Sequence, residues 1–471
     1  MARLSSHWVL ILVAVAFALL AMLRPVDHDE SQYVAATMLA WGGPPYRDFA
    51  YLQTPLQPLL LAPIAAAFGS FAWPGLRLVN AALSAAAVAF VFAAARRAGA
   101  GERTALAAAL AMAACDILLF GAAMARNDAL PTALLAAALW LAAGGTSRRS
   151  AFAIGLCLSA ATAAKISFAL PALAYGIWTL LDRRRLPLWV AIGAVPATLL
   201  VAFTYVAAPA DFMFGVFDFP ARAPAEYYAA RPWKLSWPAK AIDTLKFLAL
   251  GPALVALVIV VRDRGRTTTR WLDLLIVAGL VAALLPFPTW RQYLAPMLPP
   301  LFVRLALAWQ HAPPARATRI AMAVFVGTGL APSVEALAAN RPAMLAAMRE
   351  GAAIGAALNS AGVTGPVATL SPQFLPAARA VPDPRFAAGP FAWRTRALLA
   401  APDQPARHII TPATLGSQFA AQPPQAILLG GEAAWSSGDV ALDRPLEAWA
   451  IASGWQRLPI RSTRFRLYVR R

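Results

Sequence analysis

Charge and cysteine are what this sequence has least of. Only 13% of its 471 residues are charged, against roughly 25% in an ordinary soluble domain, which excludes a conventional solvated globule. Two cysteines, Cys115 and Cys157, both inside apolar runs, exclude a disulfide framework and a thiolate metal site. Lysine is nearly missing, at four residues beside 37 arginines, a bias that together with alanine enrichment reads as GC-rich coding and carries no functional weight. No P-loop, no GxGxxG after a strand, no HExxH and no GxSxG is present, so ATP-driven transport has no support. No internal repeat is visible either.

What is there is hydrophobic. Apolar residues make up 60% of the chain and the mean hydropathy is +0.60, which marks a polytopic membrane protein. A formal charge of +19 would suit nucleic acid, but the basic residues fall in short clusters between apolar runs, and that reading is rejected. A spanning helix needs about 20 predominantly apolar residues. Such runs lie at about 8–23, 76–95, 104–121, 129–143, 151–170, 171–181, 188–208, 244–261, 271–286, 293–309 and 319–333. They predict an all-α bundle of about 11 transmembrane helices over 1–333, with outer loops at 24–75 and 209–243. The first run lacks a small-residue cleavage site and is followed by Arg24-Pro25 and a cluster of acids, so it is not read as a cleaved signal.

Basic residues orient the bundle. One set of alternate loops holds Arg96, Arg97, Arg103, Arg148, Arg149, Arg183, Arg184, Arg185, Arg262, Arg264, Arg266, Arg270, Arg316 and Arg319 against only Glu102, Asp182 and Asp263. That set is expected on the cytoplasmic side with the N-terminus, and the C-terminus outside. The apolar stretch 55–69, short and carrying three prolines, is expected to lie at the outer interface. From about 334 polar and apolar residues mix. A helical stretch at 341–360 and β-like runs at 366–370, 408–412, 426–430 and 465–471 predict a small periplasmic α/β soluble domain over 334–471.

Acids crowd the first outer loop, Pro25-Val26-Asp27-His28-Asp29-Glu30-Ser31-Gln32-Tyr33. Two neighbouring carboxylates let one act as a general base while the other binds or tunes it. The alternative is a solvated helix start, with Asp29 or Ser31 as the cap and Glu30 on the helix dipole. Other features share this face: Arg47-Asp48, Arg126-Asn127-Asp128 in a short turn, Lys165 at the end of a span, and Arg291 in a tight turn. Cations beside carboxylates at one membrane face suit a phosphate held near a base; each basic residue singly also reads as snorkelling. Loop 209–243 adds Tyr228, Arg231, Trp233 and Lys234, as a substrate loop or an aromatic belt. No ligand set is strong enough to assign a metal, and no cofactor is assigned.

These residues resemble the GT-C integral-membrane glycosyltransferases, the group of protein O-mannosyltransferases, aminoarabinose transferases and Rgt-like lipopolysaccharide glycosyltransferases. The matching pieces, in order over about 300 residues, are Asp29-Glu30-Ser31-Gln32-Tyr33, Gly42-Gly43-Pro44-Pro45-Tyr46-Arg47-Asp48-Phe49, Gln53-Thr54-Pro55-Leu56-Gln57-Pro58, Arg77-Leu78-Val79-Asn80, Ala125-Arg126-Asn127-Asp128-Ala129-Leu130 and Arg291-Gln292-Tyr293-Leu294-Ala295-Pro296-Met297-Leu298-Pro299. The resemblance implies a polyprenyl-phosphate-linked sugar as donor. It implies an acid of the first outer loop as base and inverting transfer to a hydroxyl of an envelope glycolipid, lipopolysaccharide or protein. By position Asp29 is that base with Glu30 its neighbour, Asp27 being an alternative and Asp128 a second acidic position. Arg291, Lys165, Arg47 and Arg126 would hold the lipid phosphate. Many relatives have a charged residue where this chain has Gln53. The competing readings are a lipid or glycolipid transporter or flippase, and a non-catalytic envelope assembly protein.

Overall fold

A computed structural model describes residues 5–263, 269–339, 343–395, 397–432 and 438–470; Arg264 and Arg266 lie outside these. The apolar runs are helical over most of their length, with breaks inside 104–121, 151–170 and 244–261. α1 (Ser6–Leu23) stops at Arg24, whose backbone is extended, as a residue before proline requires. α2 (Glu30–Leu39) ends before Gly42-Gly43-Pro44. α3 (Leu56–Phe68) passes through a single 3-10 turn at Gly69–Phe71 into α4 (Ala72–Arg97). Together these make 42 helical residues, a length of about 63 Å at 1.5 Å per residue, roughly twice the hydrocarbon core. Only part of it therefore crosses a bilayer.

α5 (Glu102–Ala113) and α6 (Asp116–Ala123) meet at a 65° bend. α7 (Ala129–Ala143), α8 (Arg148–Ala164), α9 (Ala169–Leu181) and α10 (Pro187–Ala207) follow. α8 and α10 touch through glycine: a Cβ added to Gly155 would lie 1.9 Å from the Val190 carbonyl oxygen, and one on Gly193 1.9 Å from that of Phe152. Small residues allow this close approach, and packing rather than a hydrophobic drive holds helices together in lipid. The expected long outer loop is largely helical, with α11 (Pro209–Met213), a π turn at Phe214–Asp218 and α12 (Phe219–Tyr227). α13 (Trp237–Ala249) and α14 (Ala253–Arg262) bend by 96°.

The two bends lean on each other. The Asp116 amide donates to the Leu250 carbonyl at 3.0 Å, and Thr328 Oγ1 donates to the Ala249 carbonyl at 2.7 Å. A Cβ on Gly251 would meet Cys115 Cα at 2.6 Å. Backbone groups freed by the breaks are thus re-satisfied inside the protein, which is the condition for broken helices at membrane depth. α15 (Arg270–Leu284), α16 (Leu298–His311) and α17 (Arg316–Ala339) complete the bundle.

Among the described residues four helical stretches are long and apolar enough to cross a membrane, or six if each bent pair is one span; the remaining apolar helices are shorter. The arginine-bearing ends gather together. Arg97 stacks over Trp140 at 4.1 Å, Arg148 over Trp189 at 5.5 Å and Arg185 over Trp271 at 5.7 Å, while Arg185 also donates to the Ala142 carbonyl.

The expected boundary at 334 falls inside α17. Beyond it, α18 (Ala343–Ser360) packs on a four-stranded sheet of order β1-β2-β4-β3, with β1 (Val367–Ala368), β2 (Ala426–Leu429), β3 (Gln456–Leu458) and β4 (Arg466–Val469). β1 and β2 are parallel, the other pairs antiparallel. The run 408–412, expected as a strand, is not one. Ile409 and Ile410 are buried, but side chains occupy the backbone groups a ladder would use: Gln418 Nε2 donates to the Ile409 carbonyl and Thr414 Oγ1 accepts from the Thr411 amide. One apolar cluster is shared by the two halves of the chain. It joins Val26, Val34, Leu61 and Trp73 to Met344, Phe374, Leu428 and Val469.

Candidate active site

A cavity of about 880 Å³ opens between the first outer loop, α12, the 288–293 turn and the sheet-bearing part of the chain. That size is at the upper end of the ~300–1,000 Å³ usual for ligand sites.

Asp29 occupies the N-cap position of α2 yet makes no side-chain cap bond. Its carboxylate turns instead to Arg126 and to His28, whose Nε2 lies 3.0 Å from Oδ1. The capping alternative read from the sequence is thereby set aside. Asp27 accepts the Asp29 amide at 2.9 Å and lies 3.3 Å from Arg126 Nη1. Arg126 also reaches Asp128 at 3.2 Å, and Lys165 pairs with the other Asp128 oxygen. Asp27, Asp29, Arg126 and Lys165 all line the cavity. α7 begins just after Asp128 and α8 ends just before Lys165, so two helix termini set the pair.

Burial pushes the Asp27 carboxyl up from its ordinary value, helped by the Asp29 charge. Burial also works against the Asp29 charge, but the Arg126 guanidinium and His28 outweigh it and hold Asp29 well below the usual carboxylate range. Burial lowers His28, while Asp29 raises it further, to about 9. At neutral pH the loop therefore presents an ionised Asp29 bracketed by two cations. The side chains of Asp27, His28 and Asp29 each offer a ligand atom within 4.8 Å of the others, which is the place a metal ion would fit.

Glu30 sits elsewhere. It is fully buried behind the cavity wall, where Arg77 Nε donates to it at 2.7 Å, the Ala125 amide at 2.8 Å, Trp73 Nε1 at 3.0 Å and the Asp27 amide at 3.0 Å. Arg77, equally buried, also donates to the carbonyls of Ala21, Arg24 and Pro25. The pair locks the 21–30 turn to α4 and holds Asp29 in place.

Arg291 lines a second charged end of the cavity, 2.6 Å from Asp116. Arg24 joins the same carboxylate from 3.7 Å. Arg24 was not singled out from the sequence, although a basic residue directly after an apolar run was the available signal. Arg47 is exposed and paired with Asp48, outside the cavity. Of the loop residues, Tyr228 lines the cavity, whereas Arg231, Trp233 and Lys234 do not; Lys234 lies 3.6 Å from Asp243. Gln53 lines the cavity and its amide oxygen accepts from Asn127 at 3.1 Å.

The sequence reading missed one entire wall. Phe391, Arg394, Glu432, Asp439 and Arg464 reach the cavity from the sheet-bearing part. Tyr227 Oη donates to the Phe391 carbonyl at 2.7 Å, and Arg394 stacks over the Tyr227 ring at 4.5 Å. Arg407 pairs with Asp211 at 2.9 Å. The outer loop is thus clamped by residues between 164 and 196 positions further along.

The chain is thus a helical bundle with a charged cavity that is roofed by a small sheet. Over 99% of its length this chain superposes on 98% of the aminoarabinose transferase ArnT from Cupriavidus metallidurans bound to undecaprenyl phosphate, with a TM-score of 0.63 and 15% identity. The apo state of that enzyme gives 0.61 and 16% identity over 98% of this chain and 97% of that one. No family model and no curated protein sequence matches the chain.

Proposed function

We propose that the chain is an inverting glycosyltransferase. It moves a sugar from a polyprenyl-phosphate carrier to a hydroxyl of a cell-envelope acceptor at the outer face of the inner membrane, with about eleven spans, the N-terminus cytoplasmic and residues 334–471 periplasmic. The observation that carries this reading is the Asp29 carboxylate, turned away from its own helix and into the cavity between Arg126 and His28. The fold shared with ArnT, a protein solved with undecaprenyl phosphate, and the gathering of arginines at the opposite end of the bundle support it.

The chemistry follows from the charges. Arg126 and Lys165 are neutralised by Asp27, Asp29 and Asp128. A donor phosphate brings competing negative charge, and a guanidinium binds it bidentately. As Arg126 turns to the phosphate, Asp29 loses the partner that depresses its basicity and becomes able to take the proton of the acceptor hydroxyl. That oxygen attacks the anomeric carbon from the face opposite the phosphate. The carbon–oxygen bond to phosphate breaks, and Lys165, Arg126 and Arg291 hold the departing charge while a nearby carboxylate eases the oxocarbenium-like centre.

The test is a mass-spectrometric profile of envelope glycans in a deletion strain, complemented with wild type or with Asp29→Asn at matched protein level. Loss of one glycan mass in both the deletion and the Asp29→Asn strain is expected, and the mass difference gives the sugar class. Full restoration by Asp29→Asn would remove Asp29 from the base role and move Asp27 forward.

A further inference from the structure

The wall that the sequence did not disclose carries a second carboxylate, set by strand geometry. β1 and β2 run parallel, and ligands of α/β sheets collect beyond the carboxyl ends of such strands. The segment after β1 ends in buried Ser371, and the segment after β2 reads Gly430-Gly431-Glu432. Ser371 Oγ donates to Glu432 Oε1 at 3.1 Å. The two segments could not approach this closely with larger residues: a Cβ on Gly431 would meet Ser371 Cβ at 2.4 Å. Gly430, at φ +97, donates its amide to Asp443 Oδ2 at 2.6 Å. The turn is therefore built to hold Glu432 where it is, 2% exposed yet on the cavity surface.

Glu432 shares that cavity with Asp29. His28 stands between the two parts, bonded to Asp29 and with its ring 6.0 Å from that of Phe391. Glu432, Asp439, Arg394, Arg464 and Phe391 line the cavity from the sheet-bearing part. Burial raises Glu432 to about 7, and in its ionised form, which gains above that pH, the carboxylate only accepts and takes an O–H or N–H from a ligand. A ring face beside acceptors and a guanidinium suits a ligand that is apolar on one side and rich in hydroxyls on its edge. A lipid phosphate would find Arg24, Arg126, Lys165 and Arg291 on the part of the lining that comes from the ends of the membrane helices.

Resting on the glycosyltransferase reading above, we propose that the carboxyl ends of β1 and β2 form the acceptor subsite and that Glu432 accepts a hydrogen bond from a second hydroxyl of a saccharide acceptor. The attacking hydroxyl goes to Asp29 and the second to Glu432, so the pair fixes which hydroxyl is glycosylated. A glycan headgroup offers such a second hydroxyl, whereas a serine or threonine of a peptide offers only one hydroxyl and could reach Glu432 with a backbone N–H alone.

The experiment uses the full-length chain in the deletion strain and purified in detergent, with undecaprenyl phosphate as the donor-site probe. Glu432→Ala is expected to lower the transferred glycan about tenfold or more, the worth of a hydrogen bond to a charged group, while the dissociation constant for undecaprenyl phosphate stays within about twofold. Glu432→Gln, which keeps one carbonyl acceptor, restores part of the product and decides the matter if Glu432→Ala does not fold. Wild-type product from Glu432→Ala, a parallel loss of undecaprenyl phosphate binding, or product found only on serine or threonine of proteins overturns the proposal. Product lost with Asp29→Asn but kept with Glu432→Ala refutes this subsite alone. A deletion that loses no glycan refutes the glycosyltransferase reading and this proposal with it.

Discussion

Replacing Arg77 with methionine removes the counter-charge of a carboxylate that water does not reach. Arg77 and Glu30 are both at 0% exposure. Glu30 would keep the Trp73, Ala125 and Asp27 donors but no cation, and the carbonyls of Ala21, Arg24 and Pro25 would each lose a donor. Breaking a buried pair from one side costs on the order of 3–5 kcal/mol, a large part of a typical total of about 5–15 kcal/mol. Arg77→Met is therefore expected to melt well below wild type in temperature-resolved size exclusion of the detergent-purified chain. Glu30→Gln keeps an acceptor for Trp73 and Ala125 without a charge to compensate. The double variant should thus be less destabilised than the two single changes added together, with a coupling of about 1–3 kcal/mol. An Arg77→Met protein that melts with wild type, or a double variant whose loss equals that sum, would refute the claim that this pair anchors the 21–30 turn.

Further consequences are open to measurement. Arg24→Gln leaves Arg291 with Asp116 but removes one cation from the cavity, and it should weaken undecaprenyl phosphate binding about tenfold; unchanged binding would exclude Arg24 from the phosphate site. Burial raises Asp443 to about 6, above an unfolded value of about 3.9, so the folded state binds this proton more tightly. Its contribution is then largest below about pH 4 and falls as pH rises through about 6, by about 3 kcal/mol. Wild type should gain on Asp443→Asn as pH is lowered from 8 to 5, and a constant difference in melting temperature would contradict it. Gly193→Leu drives a side chain into the Phe152 carbonyl and should abolish recovery of monodisperse protein, whereas Ile192→Ala, at the exposed neighbouring position, should leave that recovery unchanged.

Much of the site was legible because its signals are local. Three carboxylates in four residues, an Arg-Asn-Asp turn and a lysine at a helix end could be read along the chain, and of these the cavity gathers Asp27, Asp29, Arg126 and Lys165. Glu30 shows the limit. Nothing beside it in sequence tells that Arg77, 47 positions on, takes its charge and withdraws it from the cavity. Glu432 shows the same in reverse, since a carboxylate after two glycines gains meaning only once β1 and β2 lie parallel. The strand at 456–458 escaped notice because it is short and largely exposed, with no apolar alternation. The run at 408–412 misled because burial, which sequence reveals, is not pairing, which depends on side chains such as Gln418. The bends in α5–α6 and α13–α14 were likewise hidden, since apolar composition continues across both breaks.

The shared apolar cluster has a consequence for biogenesis. Val26 and Val34 flank the acidic loop, and they pack in one core with Phe465, Leu467 and Val469. A chain made from its N-terminus inserts its first helices long before those last residues exist. Until then the loop that bears Asp29 lacks part of its packing, and the cavity lacks a wall. The order of synthesis thus leaves the pairing of β4 with β2 to a step after the bundle has formed, and a chain without β4 would carry the acids without this enclosure.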